Sequence, residues 1–335
     1  METNLTAIRL ELTNKCQLSC AECSRRFMSR PVGEMDFELA KLIVEEGLDY
    51  KKDISFLLSG LGEPLLYDRL PELINFMAEK GLAHLDLFTN LSMKMKSSEI
   101  GDVFKAINKS KIDVNLIMSL HLYDENGQIQ GVVKNNFDEN FDIVMEILQD
   151  NKRVNKHITI VDTKYHTEED ASLYRYREYL APENIHIARQ LNPWFDLVKD
   201  MAGKEGHSLG SITPSICEHP FTLLYAGWDG KVIICCTDGV NGECVLGEIK
   251  EKGDLRRIWE GDMLNQIRKD FNEYKITIQP CKRCYKTLFA RENVKLKDKD
   301  YKGEEQYGRN ESITNSTADR SAGRRAVRAD KAEAN

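Results

Sequence analysis

Between residues 7 and 190, short apolar runs alternate with segments whose apolar positions recur at helical spacing. That alternation builds βα units around a parallel sheet. Ile8, Leu10 and Leu12 alternate with Arg9 and Glu11, predicting a strand over residues 7–13, and Ile-Ser-Phe-Leu-Leu at 54–58 predicts a second. Leu70, Leu73, Ile74 and Met77 fall at i, i+3, i+4 and i+7, one face of a helix. Residues 85–89 and 114–120 read as strands three and four, and Phe137, Phe141, Val144 and Leu148 as the face of the helix that follows. Residues 158–161 and 185–188 supply strands five and six. Six units are too few to close an eight-fold barrel, so the expected fold is α/β, a partial (β/α)6 TIM-like barrel. In such barrels chemistry gathers at the C-terminal ends of the strands.

The pattern changes after this body. Residues 203–211 are rich in glycine, lysine and serine and read as a link to an appendage. Two apolar runs flanking Trp228-Asp-Gly230 then predict a hairpin. Beyond residue 296 the chain is charged and poor in large apolar residues, a composition that cannot offset the entropy of ordering. The expected division is therefore a barrel at 1–205, an auxiliary domain at 206–295 and a disordered tail at 296–335.

Composition narrows the function classes. A net charge of −7 argues against a nucleic-acid binder, which is ordinarily basic. No apolar run is long enough to span a bilayer and the N-terminus lacks a signal-peptide pattern, so the cytoplasm is the expected compartment. A reducing cytosol disfavours disulfides among the nine cysteines. They fall in two groups: 16, 20 and 23, then 217, 235, 236, 244, 281 and 284.

The first group is Cys16-Gln-Leu-Ser-Cys20-Ala-Glu-Cys23, a C-x3-C-x2-C run directly after the first strand. Three soft thiolates in eight residues can hold one soft metal centre. Structural zinc and ordinary iron–sulfur clusters want four ligands, so three thiolates leave one position open to a small molecule. A zinc knuckle with a distant fourth ligand is the competing reading. Strand two ends in Ser59-Gly-Leu-Gly-Glu-Pro64, strand three in Thr89-Asn90-Leu91 and strand four in Met118-Ser119-Leu-His121.

Together these motifs resemble the radical S-adenosylmethionine (radical SAM) enzymes. The resemblance implies a [4Fe–4S] cluster on Cys16, Cys20 and Cys23 whose open iron is chelated by SAM. Gly62 and Glu63 match the family's Gly-Glu-Pro motif, in which the glutamate accepts hydrogen bonds from the SAM ammonium. Asn90 matches a Thr-Asn-Gly end, with Leu91 in the place of glycine. Ser119 matches the ribose contact of a Ser-x-Asp end, with His121 in place of the acid. Glu22 stands where relatives carry an apolar or aromatic residue near the adenine. Gln190-Leu-Asn-Pro-Trp194, after strand six, resembles a strand-end segment with tryptophan in relatives that carry an appended cluster domain, which leaves Trp194 either as a wall of the substrate cavity or as a core or rim residue.

Cys217, Gly230 and Cys235 form C-x12-G-x4-C, and Cys281 and Cys284 close the set. The pattern resembles the SPASM/twitch appendage of radical SAM enzymes. No cysteine follows Cys284, so the shorter twitch form fits better, with one auxiliary [4Fe–4S] cluster on Cys217, Cys235, Cys281 and Cys284. A four-cysteine zinc ribbon is the alternative. Cys236 and Cys244 remain over, either as buried small hydrophobes or as thiols that donate a hydrogen atom to a substrate radical.

The resemblance implies two [4Fe–4S] clusters, SAM, and an electron donor such as flavodoxin or ferredoxin. It implies hydrogen-atom abstraction from a small polar natural-product precursor of aminocyclitol or aminoglycoside type, ending in dehydrogenation or epimerisation. Peptide maturases share the architecture but often carry an N-terminal recognition domain, whereas here the first strand starts by residue 7. A non-catalytic zinc or iron–sulfur protein is the remaining alternative.

Overall fold

The computed structural model describes residues 1–20, 23–94, 97–121, 131–161, 175–188 and 217–283. Glu22, Trp194, Cys284, the linker at 203–211 and the tail lie outside them. Six strands follow one another as the apolar runs predict: β1 (Ala7–Leu10), β2 (Ser55–Leu58), β3 (His84–Thr89), β4 (Asp113–His121), β5 (Val154–Val161) and β6 (Ile185–Ala188). Between them run α1 (Phe37–Tyr50), α2 (Leu70–Glu79), α3 (Ser97–Lys109) and α4 (Gly131–Leu148). Each strand from β1 to β6 pairs in parallel with the next, giving the order β6-β5-β4-β3-β2-β1. The described sheet is unclosed, as a partial barrel requires.

The two faces of this sheet differ, and the difference positions the site. Phe56, Leu85, Leu87, Leu116, Met118 and Ile158 point outward and are fully buried beneath the helices. Leu70, Leu73, Ile74 and Met77 of α2 and Phe137, Phe141, Val144 and Leu148 of α4 meet them, also fully buried. Burying each such side chain contributes about 1.5–3 kcal/mol. The alternate residues face inward and are polar or half-exposed, as in the His84, Asp86, Phe88 series of β3. An inner face left open is unusual for parallel strands, which are ordinarily covered on both sides.

Three further strands extend the sheet beyond β1. β7 (Leu223–Ala226) pairs in parallel with β1, and β8 (Lys231–Ile233) and β9 (Val245–Glu248) add antiparallel. The predicted hairpin is the β7–β8 turn, closed by Gly227 N–H donating to Lys231 O at 2.8 Å. Gly230 completes it at φ +80°, in the left-handed region that a side chain disfavours. Met1–Lys297 thus forms one compact unit. Among the described residues, no helix is long and apolar enough to cross a membrane.

Two boundaries differ from the periodicity by more than one residue. β1 ends at Leu10 because Glu11 turns into a buried polar network and Thr13 bridges to Glu34 instead. β5 begins at Val154, earlier than read, because Asn155 and His157 are polar residues on its open inner face.

Candidate functional site

At the C-terminal ends of β1 to β4 lies an open cavity of about 170 Å³. Cys16, Cys20, Cys23, Gly62, Glu63, Asn90, Ser119 and His121 all line it. Residues up to 105 positions apart in sequence, from Cys16 to His121, converge because each follows or ends a parallel strand.

The cysteine loop is anchored from beneath. Leu18 and Cys20 pack on Val133 of α4, with Cys16 and Cys23 against the same cluster. Cys23 N–H donates to Cys20 O at 3.1 Å, and the Arg25 amide donates to the Cys23 sulfur at 3.4 Å. Asn90 Nδ2 approaches the Cys16 sulfur at 3.6 Å while its Oδ1 accepts from Gln17 Nε2 at 2.7 Å. Asn90 therefore ties the end of β3 to the cysteine loop. Burial pushes the Cys16 thiol up to about 11, so a thiolate there needs a cation to offset its desolvation.

Gly62 sits where only a glycine fits. A Cβ built there would lie 2.2 Å from Thr13 O and 2.7 Å from Lys15 O, the backbone leading into Cys16. Glu63 N–H donates to Lys15 O at 2.8 Å across the same seam. Gly62→Ala is expected to displace the cysteine loop at a cost of roughly 1–3 kcal/mol, read as a lower melting midpoint and less iron per chain after reconstitution. Wild-type values for both would mean that the seam yields freely.

Glu63 is fully buried and already well partnered. Its Oε1 accepts from Leu65 N–H at 3.0 Å and Thr89 Oγ1 at 2.7 Å, and its Oε2 from Asn90 N–H at 2.7 Å. Burial raises its pKa, and these donors partly counter the shift. Three of a carboxylate's roughly four acceptor sites are occupied, leaving one for a bound ammonium. Leu91 adopts φ +50°, the left-handed backbone for which glycine is suited, at about 1–2 kcal/mol. Asn140 holds the turn by donating to Leu91 O at 2.9 Å and Met93 O at 2.8 Å.

Ser59, Gly60, Leu61 and Thr89 stand inside the strand-end motifs with no role assigned to them, and Phe88, also lining the cavity, carries no motif signal. The alternation of β3 gives away Phe88, two residues past inward Asp86. Phe88 supplies an aromatic wall, with the Arg9 guanidinium 5.9 Å from its ring centre. In the second group, Cys217 and Cys235 are half-buried and Cys281 is buried. Cys236 follows Cys235 in a 3-10 turn (Cys236–Val240), so the two do not share a strand. Cys244 is buried in the core, its N–H donating to Asp238 Oδ2 at 2.9 Å. Neither Cys236 nor Cys244 lines the cavity.

The donor set, three soft thiolates, is of the kind that iron–sulfur clusters take. Among the described residues, no three Cys, His, Asp or Glu side chains converge tightly enough for one metal ion. Cys16, Cys20 and Cys23 line one cavity, and cysteine thiolates are the ligands of iron–sulfur clusters.

Residues 10–177, half of the chain, match the radical SAM superfamily. The chain belongs to the radical SAM superfamily. It is thus a radical SAM enzyme, for which a [4Fe–4S] cluster and SAM are the implied cofactors, and this sets aside the non-catalytic alternative. Residues 217–285 match SPASM, an iron–sulfur cluster-binding domain, implying further cluster content.

Two solved structures are similar in fold. BtrN in complex with AdoMet and 2-DOIA has a TM-score of 0.52 at 18% identity, over 82% of this chain and 89% of that one. Streptococcus suis SuiB bound to precursor peptide SuiA has a TM-score of 0.45 at 16% identity, over 86% of this chain and 71% of that one. A curated relative, the tungsten-containing aldehyde ferredoxin oxidoreductase cofactor-modifying protein of Pyrococcus furiosus (strain ATCC 43587 / DSM 3638 / JCM 8422 / Vc1), is 27% identical over 81 residues. That match spans 24% of this chain and only 22% of the relative's length.

Proposed function

We propose that this radical SAM enzyme oxidises a small polar precursor, of aminocyclitol or aminoglycoside type, in the cavity above β1 to β4. The observation that carries the reading is the convergence of Cys16, Cys20 and Cys23 with Glu63, Asn90 and Ser119 on one cavity. Cys16, Cys20 and Cys23 would hold the first cluster, and Gly62, Glu63, Asn90 and Ser119 the SAM. Cys217, Cys235, Cys281 and Cys284 would hold one auxiliary [4Fe–4S] cluster. When bound, these groups supply a 5′-deoxyadenosyl radical that removes a hydrogen atom, with the auxiliary cluster accepting the second electron of an oxidation.

The polarity of the inner sheet face supports the substrate class. Ser119, Thr159 and His186 form one row across β4, β5 and β6, and none of them is buried. Ser119 lines the cavity, and side chains in register on neighbouring strands share a face. The row offers two hydroxyls and an imidazole where an apolar substrate would want an apolar wall. The similar fold that holds AdoMet and 2-DOIA accords with the reading. The division into barrel (1–205), auxiliary domain (206–295) and tail (296–335) belongs to this proposal, as do a cytoplasmic location and a flavodoxin or ferredoxin donor.

The test is anaerobic reconstitution followed by SAM cleavage with candidate substrates. Aminocyclitols should raise 5′-deoxyadenosine formation and yield a product two mass units lighter. Stimulation by a peptide alone would overturn the substrate class in favour of a peptide maturase.

Oxidation and epimerisation differ in their need for a hydrogen donor. Burial pushes the Cys244 thiol up to about 11, which preserves its S–H, yet both spare cysteines stand away from the cavity. That position favours oxidation. Cys236→Ala and Cys244→Ala are expected to keep turnover, and product formed in heavy water should carry no solvent deuterium on carbon. Deuterium incorporation, with product lost but 5′-deoxyadenosine retained in one variant, would make that cysteine the donor of an epimerase.

A further inference from the structure

Six buried side-chain polar atoms lack a hydrogen-bond partner among the described residues: Arg9 Nε, Ser59 Oγ, Tyr67 OH, Arg175 Nε, Trp228 Nε1 and Arg268 Nη2. Only one of them, Ser59 Oγ, belongs to a residue lining the cavity. Ser59 is 7% exposed. A buried hydroxyl left unpaired is destabilising, and its neighbours show how thoroughly this site otherwise pairs its polar groups. Glu63 accepts three hydrogen bonds, Thr89 Oγ1 donates one and accepts another, and Asn90 uses both ends of its side chain.

We propose that the Ser59 hydroxyl is a positioning contact for SAM, hydrogen-bonding the cofactor that the cavity receives. Two placements favour SAM over the substrate. Ser59 opens the Ser59-Gly-Leu-Gly-Glu-Pro64 turn that carries Gly62 and Glu63, so it moves with the SAM-facing loop. Its strand, β2, lies between β1 and β3, whose ends carry the cysteine loop and Asn90, whereas the polar row assigned to substrate runs across β4 to β6. A hydroxyl both donates and accepts, so it can serve the amino-acid end or the ribose of SAM. The inference rests on the radical SAM reading of the cavity and adds a residue to it.

Equilibrium SAM binding to the reconstituted holoenzyme, measured by calorimetry for wild type, Ser59→Ala and Ser59→Thr, is the test. Ser59→Ala should weaken SAM binding roughly two- to tenfold, and Ser59→Thr, which keeps a hydroxyl, should restore most of it. Iron content and the electron paramagnetic resonance signal of the SAM-free reduced enzyme should match wild type. The melting midpoint of Ser59→Ala without SAM should not fall, because the hydroxyl has no partner to lose among the described residues. A fall in that midpoint with unchanged SAM affinity would assign Ser59 a structural role instead. Unchanged affinity with a raised substrate KM would assign the hydroxyl to substrate, and either result overturns the proposal. Failure of wild type itself to bind SAM would overturn the cavity's reading rather than this residue alone.

Discussion

Replacing Cys16, Cys20 and Cys23 together by alanine is expected to abolish 5′-deoxyadenosine formation and to halve the iron bound after reconstitution. Two cubane clusters give about eight irons per chain, of which one cluster holds about four. The variant should keep the four assigned to Cys217, Cys235, Cys281 and Cys284, because β7 to β9 and their turns make their own hydrogen bonds. Folding should survive as well, since the cysteine loop packs on Val133 in a small cluster apart from the main core. Single replacements should lose nearly as much activity, as ligands acting as a unit do not contribute additively. Iron assay and product chromatography check both numbers. SAM cleavage persisting in the triple variant would remove the three cysteines from catalysis, and zinc in place of the retained iron would turn the second site into a ribbon.

How much of this was legible from the chain depends on what each residue does. The six barrel strands were readable because the outward residues of a parallel sheet must be apolar, and Phe56, Leu87 and Met118 are. α2 and α4 were readable for the same reason. α1 carries the same signal, with Ala40, Ile43, Val44 and Leu48 buried at helical spacing. The inward residues carry little periodic signal, because a substrate-facing wall has no reason to be uniformly apolar. This is why β5 reads short and why Phe88 belongs to no motif.

The cysteine and glycine motifs were legible for a different reason. Their spacing is local, whereas Gly62 owes its identity to backbone 47 to 49 residues away, Lys15 and Thr13. Leu91 could be noted as a departure, but its left-handed backbone and the Asn140 clamp that holds it are tertiary facts. The union of β7 with β1 was also beyond the pattern. A hairpin signal says that two strands pair with each other and leaves open which sheet receives them.

The same limit hid Glu11, which looks in sequence like one polar position of an alternating strand. It is the hub of a buried network joining both halves of the chain. Its side chain is 0% exposed and pairs with Arg30, itself 12% exposed, at 2.9 Å. Glu11 Oε1 also accepts from Leu61 N–H at 3.1 Å and Tyr225 OH at 2.9 Å. Arg30 Nε in turn donates to Gly239 O, in the turn after Cys235. One carboxylate therefore links the cysteine loop's return, the Gly-Glu-Pro turn and β7. Glu11→Ala would leave a guanidinium, a phenol and an amide without their acceptor inside the protein. Breaking one side of a buried pair costs about 3–5 kcal/mol, a large fraction of the roughly 5–15 kcal/mol that holds a domain together. By contrast Lys15 and Glu34, at 2.7 Å but 47% and 45% exposed, should be worth under about 1 kcal/mol. Urea denaturation of Glu11→Ala, Glu34→Ala and the double replacement Glu11→Leu/Arg30→Met should rank them in that order of damage for the first two. The double replacement should fall short of Glu11→Ala, because it removes the stranded charge along with its partner. Equal midpoints for Glu11→Ala and Glu34→Ala would show that water reaches the Glu11 pair and that the two halves are joined by packing alone.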